Sequence, residues 1–366
     1  MAKYSSLFVR KLLPLERAKV KNFVFPFALC SLIRNFAVAM SQRKDIRQES
    51  TRQMSLKEKV LATMKSRDTE SDFELYMTRT PGYLWAVLFR RLHVHPIAVT
   101  LMSIVIGAAA GYFFWFDDLG MNLIGMVLLV WANWYDCADG QLARMTGQKT
   151  LVGRILDGFA GDVWFFSIYL FLCLRLTPAW GLWIWLLAAW AGLHCHVLQC
   201  NIADYYRNIH LWFLSEGHDS ELTSSCREKE EYRRMSWMSR DWFQKLYLFF
   251  YIRYTQRQER QCPAFQRFYD NLREKYSVVP ADLRRRFLDE SRPLMKYTNI
   301  LTFDTRVGVL FLSLLAGVPW VYFVFECTVL EALRYYTIHR HEAFCQRFDQ
   351  ELEQAVRPAP TMNDAP

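Results

Sequence analysis

Acidic side chains with the spacing of metal ligands lie in a short polar stretch between two apolar runs. The stretch reads NWYDCADGQLARMTGQKTLVGRILDGFAGDVWF and covers residues 133–165. Asp136 and Asp139 are three residues apart and therefore share a helical face, while Asp157 falls at the start of the next helix. Carboxylates beside a membrane repel one another and lose solvation, so they need a bound cation. Three oxygen ligands from two helices predict Mg²⁺ or Mn²⁺, which keep positions open for phosphate oxygens.

Small and basic residues beside these aspartates suit a phosphorylated ligand. Gly140 and Gly153 carry no side chain that would keep a ligand from the helix backbone. Arg144 can pair with a diphosphate.

The composition indicates a membrane protein. Of the 366 residues, 52% are hydrophobic and 16% are aromatic, with 13 Trp. The net charge of +9 favours anionic lipid headgroups over nucleic acid, for which the sequence has no binding motif. Nine cysteines without a CxxC pair argue against a disulfide framework.

Apolar stretches predict an all-α, polytopic membrane protein with six transmembrane helices. They cover about 96–116, 121–135, 157–174 and 179–198, with two more between 297 and 337. The predicted outer loops carry almost no Lys or Arg, whereas residues 207–296 carry eighteen. Because Lys and Arg are enriched in cytoplasmic loops, the aspartates are predicted on the cytoplasmic face.

Five parts follow from these elements. Residues 1–80 form an amino-terminal extension, in which 1–53 is either not translated, with Met54 as the start, or disordered; a cleaved signal peptide is disfavoured. Residues 81–203 hold a helix in the membrane interface and the first four spans. Residues 204–296 form a basic helical cytoplasmic insertion, which suits helices on the membrane surface and equally a soluble helical pair. The last two spans occupy 297–338, and 339–366 is a cytoplasmic tail.

The segment DCADGQLARMTGQKTLVGRILD resembles the signature of the CDP-alcohol phosphatidyltransferases. Seven residues match that pattern position by position: Asp136, Asp139, Gly140, Ala143, Arg144, Gly153 and Asp157. The resemblance covers about residues 81–198 and implies a membrane enzyme that moves a phospho-alcohol group from a CDP-linked donor to an acceptor hydroxyl, releasing CMP. It further implies that the three aspartates hold Mg²⁺ or Mn²⁺ and that Gly140, Ala143, Arg144 and Gly153 lie along the nucleotide.

One position departs from the pattern. Four residues after Asp157 the family has an aspartate that deprotonates the acceptor, but this chain has Gly161 and then Asp162. One residue rotates a side chain by about 100° around a regular helix. Either a π-bulge permitted by Gly158 and Gly161 returns Asp162 to the site as the catalytic base, or Asp162 lines a polar face and another group is the base. We favour the bulge, because bulges occur often at functional sites.

Basic residues near the ends of the spans are candidates for acceptor binding: Lys149, Arg154, Arg207 and Arg306. They would suit a phosphorylated acceptor such as glycerol phosphate or inositol phosphate. Arg306 has a second interpretation, in which it neutralises Asp304 or Glu326. The stretch GLHCHVLQC lacks a complete tetrahedral ligand set and predicts a polar helix lining, not a transition-metal site.

The predicted function is transfer of a phosphatidyl group from CDP-diacylglycerol to an alcohol in phospholipid biosynthesis. The predicted location is a bacterial inner membrane, with the site facing the cytoplasm. One alternative is a CDP-choline or CDP-ethanolamine type phosphotransferase acting on diacylglycerol, and another is a non-catalytic transporter. The sequence leaves the acceptor and the oligomeric state open, and a homodimer is compatible with it.

Overall fold

The structure is a computed structural model and describes residues 55–64, 66–215, 220, 222–236 and 242–354. The predictions for residues 1–53, and those for residues 355–366 of the tail, lie outside the described residues. Contacts divide the chain into two units, Met1–Lys59 and Val60–Pro366. The helices that carry the candidate site belong to the second unit.

Throughout the described residues the regular secondary structure is helical, as predicted. In chain order the helices are α1 (Leu56–Leu61), α2 (Asp72–Glu74), α3 (Thr80–Arg91), α4 (Pro96–Phe113), α5 (Leu119–Thr146), α6 (Leu151–Trp180), α7 (Trp183–Ala189), α8 (Val197–Ser215), α9 (Ser225–Arg234), α10 (Trp242–Gln261), α11 (Pro263–Lys275), α12 (Ala281–Ile300), α13 (Phe303–Leu315), α14 (Trp320–Phe325) and α15 (Glu331–Gln354). Three π-helical segments continue directly from an α-helix: Leu75–Arg79, Trp190–His196 and Glu326–Leu330.

Three helical stretches of the described chain are long and apolar enough to cross a membrane. They are Pro96–Phe113, Leu151–Trp180 and Ala281–Leu315. The last stretch joins α12 to α13, so it begins inside the predicted insertion. The predicted boundary at residue 203 likewise falls within α8, which continues to Ser215.

Close packing of α4 on α6 holds the first apolar helices together. A Cβ added at Gly107 would lie 2.3 Å from the Trp164 ring, and one added at Gly111 would lie 2.3 Å from Ser167 Oγ. Trp164 Nε1 also donates to the Ser103 carbonyl at 3.0 Å. Lipid does not drive helices together by the hydrophobic effect, so membrane helices associate through close packing, which small residues such as glycine allow. The position of α6 relative to α4 is therefore fixed along its length.

The helix α3 packs along the part of α5 that precedes and includes the aspartates. Trp85 and Phe89 contact Tyr135 edge to face, with ring centroids 5.0 and 5.2 Å apart. Gln141 Nε2 donates to the Arg79 carbonyl at 3.1 Å. Because Tyr135 and Gln141 flank the two aspartates of α5, this packing fixes the rotation of α5 where the site is formed.

An aromatic core joins the helices that follow the first spans. It is built from α8, α11, α12 and α15, and the Phe213 and Phe287 rings stack in it with centroids 3.7 Å apart. Phe268 and Phe344 pack against the same ring of Phe287. Helices of the predicted insertion thus share a core with the helices on either side of it.

Candidate metal and nucleotide site

A tight turn between α5 and α6 forms the base of the site. Gly147 ends α5 with a φ of 70°, in the left-handed region that glycine adopts without a Cβ penalty. Thr150 then caps α6, because its Oγ1 accepts a hydrogen bond from the Gly153 amide at 3.0 Å. Only residues 147–150 separate the two helices, so the start of α6 is held beside the end of α5.

Three of the predicted aspartates converge at this turn. Carboxylate oxygens of Asp136, Asp139 and Asp157 all lie within 4.8 Å of one another. Asp139 is 3% exposed, Asp136 is half-buried and Asp157 is exposed. The sequence predicts these residues on two neighbouring helices, and the structure brings their carboxylates together there.

The donor set fits a hard divalent cation. Asp136 Oδ1 and Asp139 Oδ2 are buried, and neither has a hydrogen-bond partner within the part of the chain that the structure describes. Buried carboxylate oxygens without partners are costly, and a cation would satisfy both of them. An all-oxygen set of this kind suits Mg²⁺ or Mn²⁺ better than a softer metal.

The neighbouring glycine leaves space beside the carboxylates. A Cβ added at Gly140 would meet nothing closer than the Arg144 guanidinium, at 3.4 Å. The Arg144 side chain therefore lies over the Gly140 face of α5, with its Nε donating to the Thr63 carbonyl at 2.5 Å. Ala143 is half-buried one turn after Asp139. Gly153 differs from Gly140, since a Cβ there would lie 3.0 Å from the capping oxygen of Thr150.

A cavity of about 590 Å³ opens beside the turn and contains part of the predicted basic set. Arg144, Lys149 and Arg154 line it together with side chains of α9 and α10. Arg154 precedes Asp157 by three residues, so the two side chains lie close together along α6. The structure therefore brings two of the four predicted acceptor residues to the nucleotide candidate Arg144.

The other two predicted acceptor residues lie elsewhere. Arg207 donates to Asn299 Oδ1 at 3.0 Å, and Asn299 lines a second cavity. Arg306 is fully buried and forms an ion pair with Glu326. Its guanidinium also donates to Gln199 Oε1 at 2.7 Å. This agrees with the second interpretation of Arg306, as the residue that neutralises Glu326.

A buried polar network surrounds this ion pair. The Glu326 carboxylate accepts hydrogen bonds from the hydroxyls of Tyr169 and Tyr322, the latter at 2.9 Å. His196 Nδ1 lies 3.3 Å from Glu326 Oε1 and 3.0 Å from an Arg306 nitrogen. His196 and Glu326 each belong to a π-helical segment. The network ties α6, α13 and two π-helical segments together.

The predicted bulge near Asp162 is wrong. The helix α6 is regularly α-helical from Leu151 to Trp180, so Asp162 lies about 140° around it from Asp157. A Cβ added at Gly158 or Gly161 would meet no atom of the described residues within 4 Å, so none of these residues packs against a bulge at this position. Asp162 instead interacts electrostatically with His196.

Arg79 is a residue of the site that the sequence did not reveal. It forms an ion pair with Glu70 at 2.8 Å and interacts electrostatically with Asp136. In the sequence, Arg79 is an isolated arginine just before α3, and its spacing does not relate it to the aspartates of α5. Only the packing of α3 on α5 brings this cation to the aspartates.

A second group of possible ligands lies far along the chain, on α15. Donor atoms of His341, Glu342 and Cys345 lie within 4.8 Å of one another and are buried. The Glu342 carboxylate, however, accepts hydrogen bonds from the amides of Ala264 and Phe265, at 2.6 and 3.2 Å. It caps the start of α11, which accounts for its burial without a metal. The described groups close enough to share an ion do not include the residues of GLHCHVLQC.

Comparison with known proteins agrees with this geometry. Residues 93–213 match the family model described as CDP-alcohol phosphatidyltransferase. No curated protein and no solved structure matches the chain. The matched segment covers α4 to α8 almost completely and contains the aspartate cluster and Arg144. Residues 93–213 are therefore similar in sequence to the CDP-alcohol phosphatidyltransferases, a family of enzymes.

Proposed function

We propose that this protein transfers a phosphatidyl group from CDP-diacylglycerol to the hydroxyl of an acceptor alcohol and releases CMP, as a step of phospholipid biosynthesis. The observation that carries the proposal is the convergence of Asp136, Asp139 and Asp157 within 4.8 Å, with two buried oxygens lacking a described partner. This cluster lies inside the family segment and beside Arg144.

Asp136, Asp139 and Asp157 would hold Mg²⁺ or Mn²⁺. When bound, such an ion offsets negative charge on the diphosphate and on the departing CMP. Gly140 leaves the adjoining face of α5 open, and Arg144 adds a fixed positive charge to it. Lys149 and Arg154 extend that positive charge into the cavity, where they would bind the anionic groups of the substrates.

The transfer forms one bond and breaks one bond. The acceptor oxygen bonds to the lipid-linked phosphorus of the donor, the bond from that phosphorus to the bridging oxygen breaks, and CMP leaves with the bridging oxygen. The acceptor proton must pass to a base. We propose Asp162 for this role, because it adjoins the position of the family's base in sequence and interacts with the buried His196. Since α6 is regular, the acceptor hydroxyl would have to reach Asp162 from the His196 side of the helix and not from the face that carries Asp157.

The membrane arrangement of the proposal has six spans, an interfacial α3 and the aspartates on the cytoplasmic side of a bacterial inner membrane. Three of the six spans coincide at least in part with the long apolar stretches described above. The uneven distribution of Lys and Arg supports the orientation. A homodimer is compatible with this arrangement.

The direct test is release of CMP by the purified protein in detergent. We expect CDP-diacylglycerol with an alcohol panel to yield CMP and a lipid product in Mn²⁺ or Mg²⁺, and no CMP in EDTA. Asp136→Asn should abolish release, whereas Asp282→Asn, at a carboxylate that is 82% exposed, should not change it. Failure to release CMP from any CDP-linked donor with either metal would refute the proposal.

A CDP-choline or CDP-ethanolamine type reaction is the second candidate. The observation in its favour is the presence of Glu228 and Glu231 in the cavity that holds the basic residues. An anionic wall is what an ammonium group of the substrate would need. Release of CMP from CDP-choline in the presence of diacylglycerol, but not from CDP-diacylglycerol, would decide for this candidate.

A further inference from the structure

The cavity beside the turn has walls of opposite charge. Arg144, Lys149 and Arg154 come from α5, α6 and the turn between them. Glu228 and Glu231 come from α9, in a part of the chain that lies after the family segment. A cavity of about 590 Å³ is large enough to enclose a small organic ligand.

Of the two acids in this wall, Glu228 is withdrawn from solvent and Glu231 is exposed. Glu228 is only 9% exposed, and burial, together with the nearby Glu231 carboxylate, raises its pKa. Glu231 accepts a hydrogen bond from Gln244 Nε2 at 3.2 Å, which fixes its orientation toward α10. Arg227 and Thr223 already interact with Glu228, and a further cation between Glu228 and Glu231 would offset the repulsion between the two carboxylates.

Aromatic rings complete the acidic wall. Tyr247 and Tyr251 of α10 line the cavity and stack with ring centroids 5.2 Å apart. Tyrosine faces next to carboxylates form the surroundings that bind ammonium and quaternary ammonium groups. Lys245 of the same helix does not line the described cavity, and its Nζ donates to the Met235 carbonyl at 2.7 Å.

We infer that the cavity binds a zwitterion, whose anionic group contacts Arg144, Lys149 and Arg154 and whose ammonium group contacts Glu228, Glu231 and the two tyrosines. This inference rests on the proposed function and names its water-soluble substrate class, which is an amino alcohol derivative. The wall that selects the ammonium group comes from α9 and α10, outside the family segment. The same chemistry has two sources, a CDP-linked amino alcohol as donor or a zwitterionic hydroxy compound as acceptor.

Binding of matched phosphate compounds tests the inference. Phosphocholine and glycerol 3-phosphate are titrated against the full chain in detergent with Mn²⁺. We expect phosphocholine to bind at least about tenfold more tightly, the effect of one well-placed cation contact. The double substitution Glu228→Gln and Glu231→Gln should remove this preference and leave glycerol 3-phosphate binding unchanged. Arg154→Gln should weaken both ligands alike.

The matched control is Glu230→Gln, since Glu230 is an exposed acid on the same helix. It should keep the full preference for phosphocholine. Equal binding of the two compounds by the unsubstituted protein would overturn the inference, as would a preference that survives the double substitution in a protein that still unfolds cooperatively.

Turnover assays distinguish a CDP-linked amino alcohol donor from a zwitterionic acceptor. They also show whether a negative result concerns the zwitterion site or the proposed function. Release of CMP from CDP-choline with diacylglycerol identifies the donor, and release from CDP-diacylglycerol with serine identifies the acceptor; in either case the double variant should lose the activity. Metal-dependent binding of CDP, which involves the aspartate cluster and not α9, tests the proposed function by itself. CDP binding without any ammonium preference would refute only the zwitterion site.

Discussion

Replacing Asp139 with asparagine should stabilise the metal-free protein and remove its stabilisation by metal. Asparagine keeps the shape of the side chain and removes the charge. In EDTA the cluster consists of carboxylates that repel one another, so loss of one charge raises the free energy of unfolding. In Mn²⁺ the same loss deprives the ion of an oxygen ligand, so the sign of the effect reverses.

The size of the effect follows from the distances. Two unit charges 4.8 Å apart, the upper limit within the cluster, repel by about 3.5 kcal/mol at an effective dielectric constant of about 20. Asp157 is the carboxylate that repels Asp136 and Asp139 most strongly, and because it is exposed, solvent screens part of this repulsion. Partial protonation relieves some of the repulsion, which leaves a gain of about 1 to 3 kcal/mol in EDTA. An ion present at a hundredfold excess over its dissociation constant stabilises the unsubstituted protein by about 2.7 kcal/mol.

The assay is thermal unfolding in detergent, in EDTA and across a Mn²⁺ titration. Asp139→Asn should unfold at a higher temperature than the unsubstituted protein in EDTA, and its unfolding temperature should respond little to Mn²⁺. Asp282→Asn serves as the control and should follow the unsubstituted protein in both conditions. The reasoning is refuted if the substitution lowers the unfolding temperature in EDTA, or if divalent ions do not stabilise the unsubstituted protein.

Three further predictions concern other residues. Glu326→Ala leaves the buried Arg306 without its carboxylate and should cost about 3 to 5 kcal/mol in chemical denaturation. Glu290→Gln, at a partly exposed acid paired with the exposed Arg347, should cost clearly less, and equal losses would argue against the network. Asp162→Asn should abolish turnover and preserve CDP binding, and near-normal turnover would reject it as the base. Burial lowers the pKa of His341 in the folded protein, so the unfolded chain binds protons more readily. Stability should therefore fall as pH drops through about 6.5, and His341→Gln should flatten this dependence, whereas an unchanged pH dependence in the variant would contradict the prediction.

The aspartate cluster could be predicted because its determinants are local. Asp136 and Asp139 share a face through helical periodicity alone. Because the connection has only four residues, α6 must begin beside the end of α5. The apolar composition of α4 and α6 likewise required helices, since a chain in lipid must satisfy its own backbone hydrogen bonds. The number of spans is a weaker prediction, because α12 runs continuously from the insertion into an apolar segment.

The orientation of Asp162 could not be predicted, because a bulge depends on packing around the helix and not on the glycines that permit it. Within the described part of the chain, no atom lies within 4 Å of a Cβ added at Gly158 or Gly161. Two π-helical segments instead contain His196 and Glu326, which meet in a buried network. Those partners are separated by 130 residues in sequence. No local pattern links them.

The sequence by itself determined the chemistry available to this protein: carboxylates at metal-ligand spacing, an open glycine and an arginine, placed at the end of an apolar helix. The tertiary structure decided what surrounds that chemistry. It brought Arg79 to the aspartates through the packing of α3, and it set Glu228 and Glu231 in the same cavity as Arg154. Helical periodicity fixes which residues of one helix share a face, whereas the packing of side chains from distant segments fixes which faces meet.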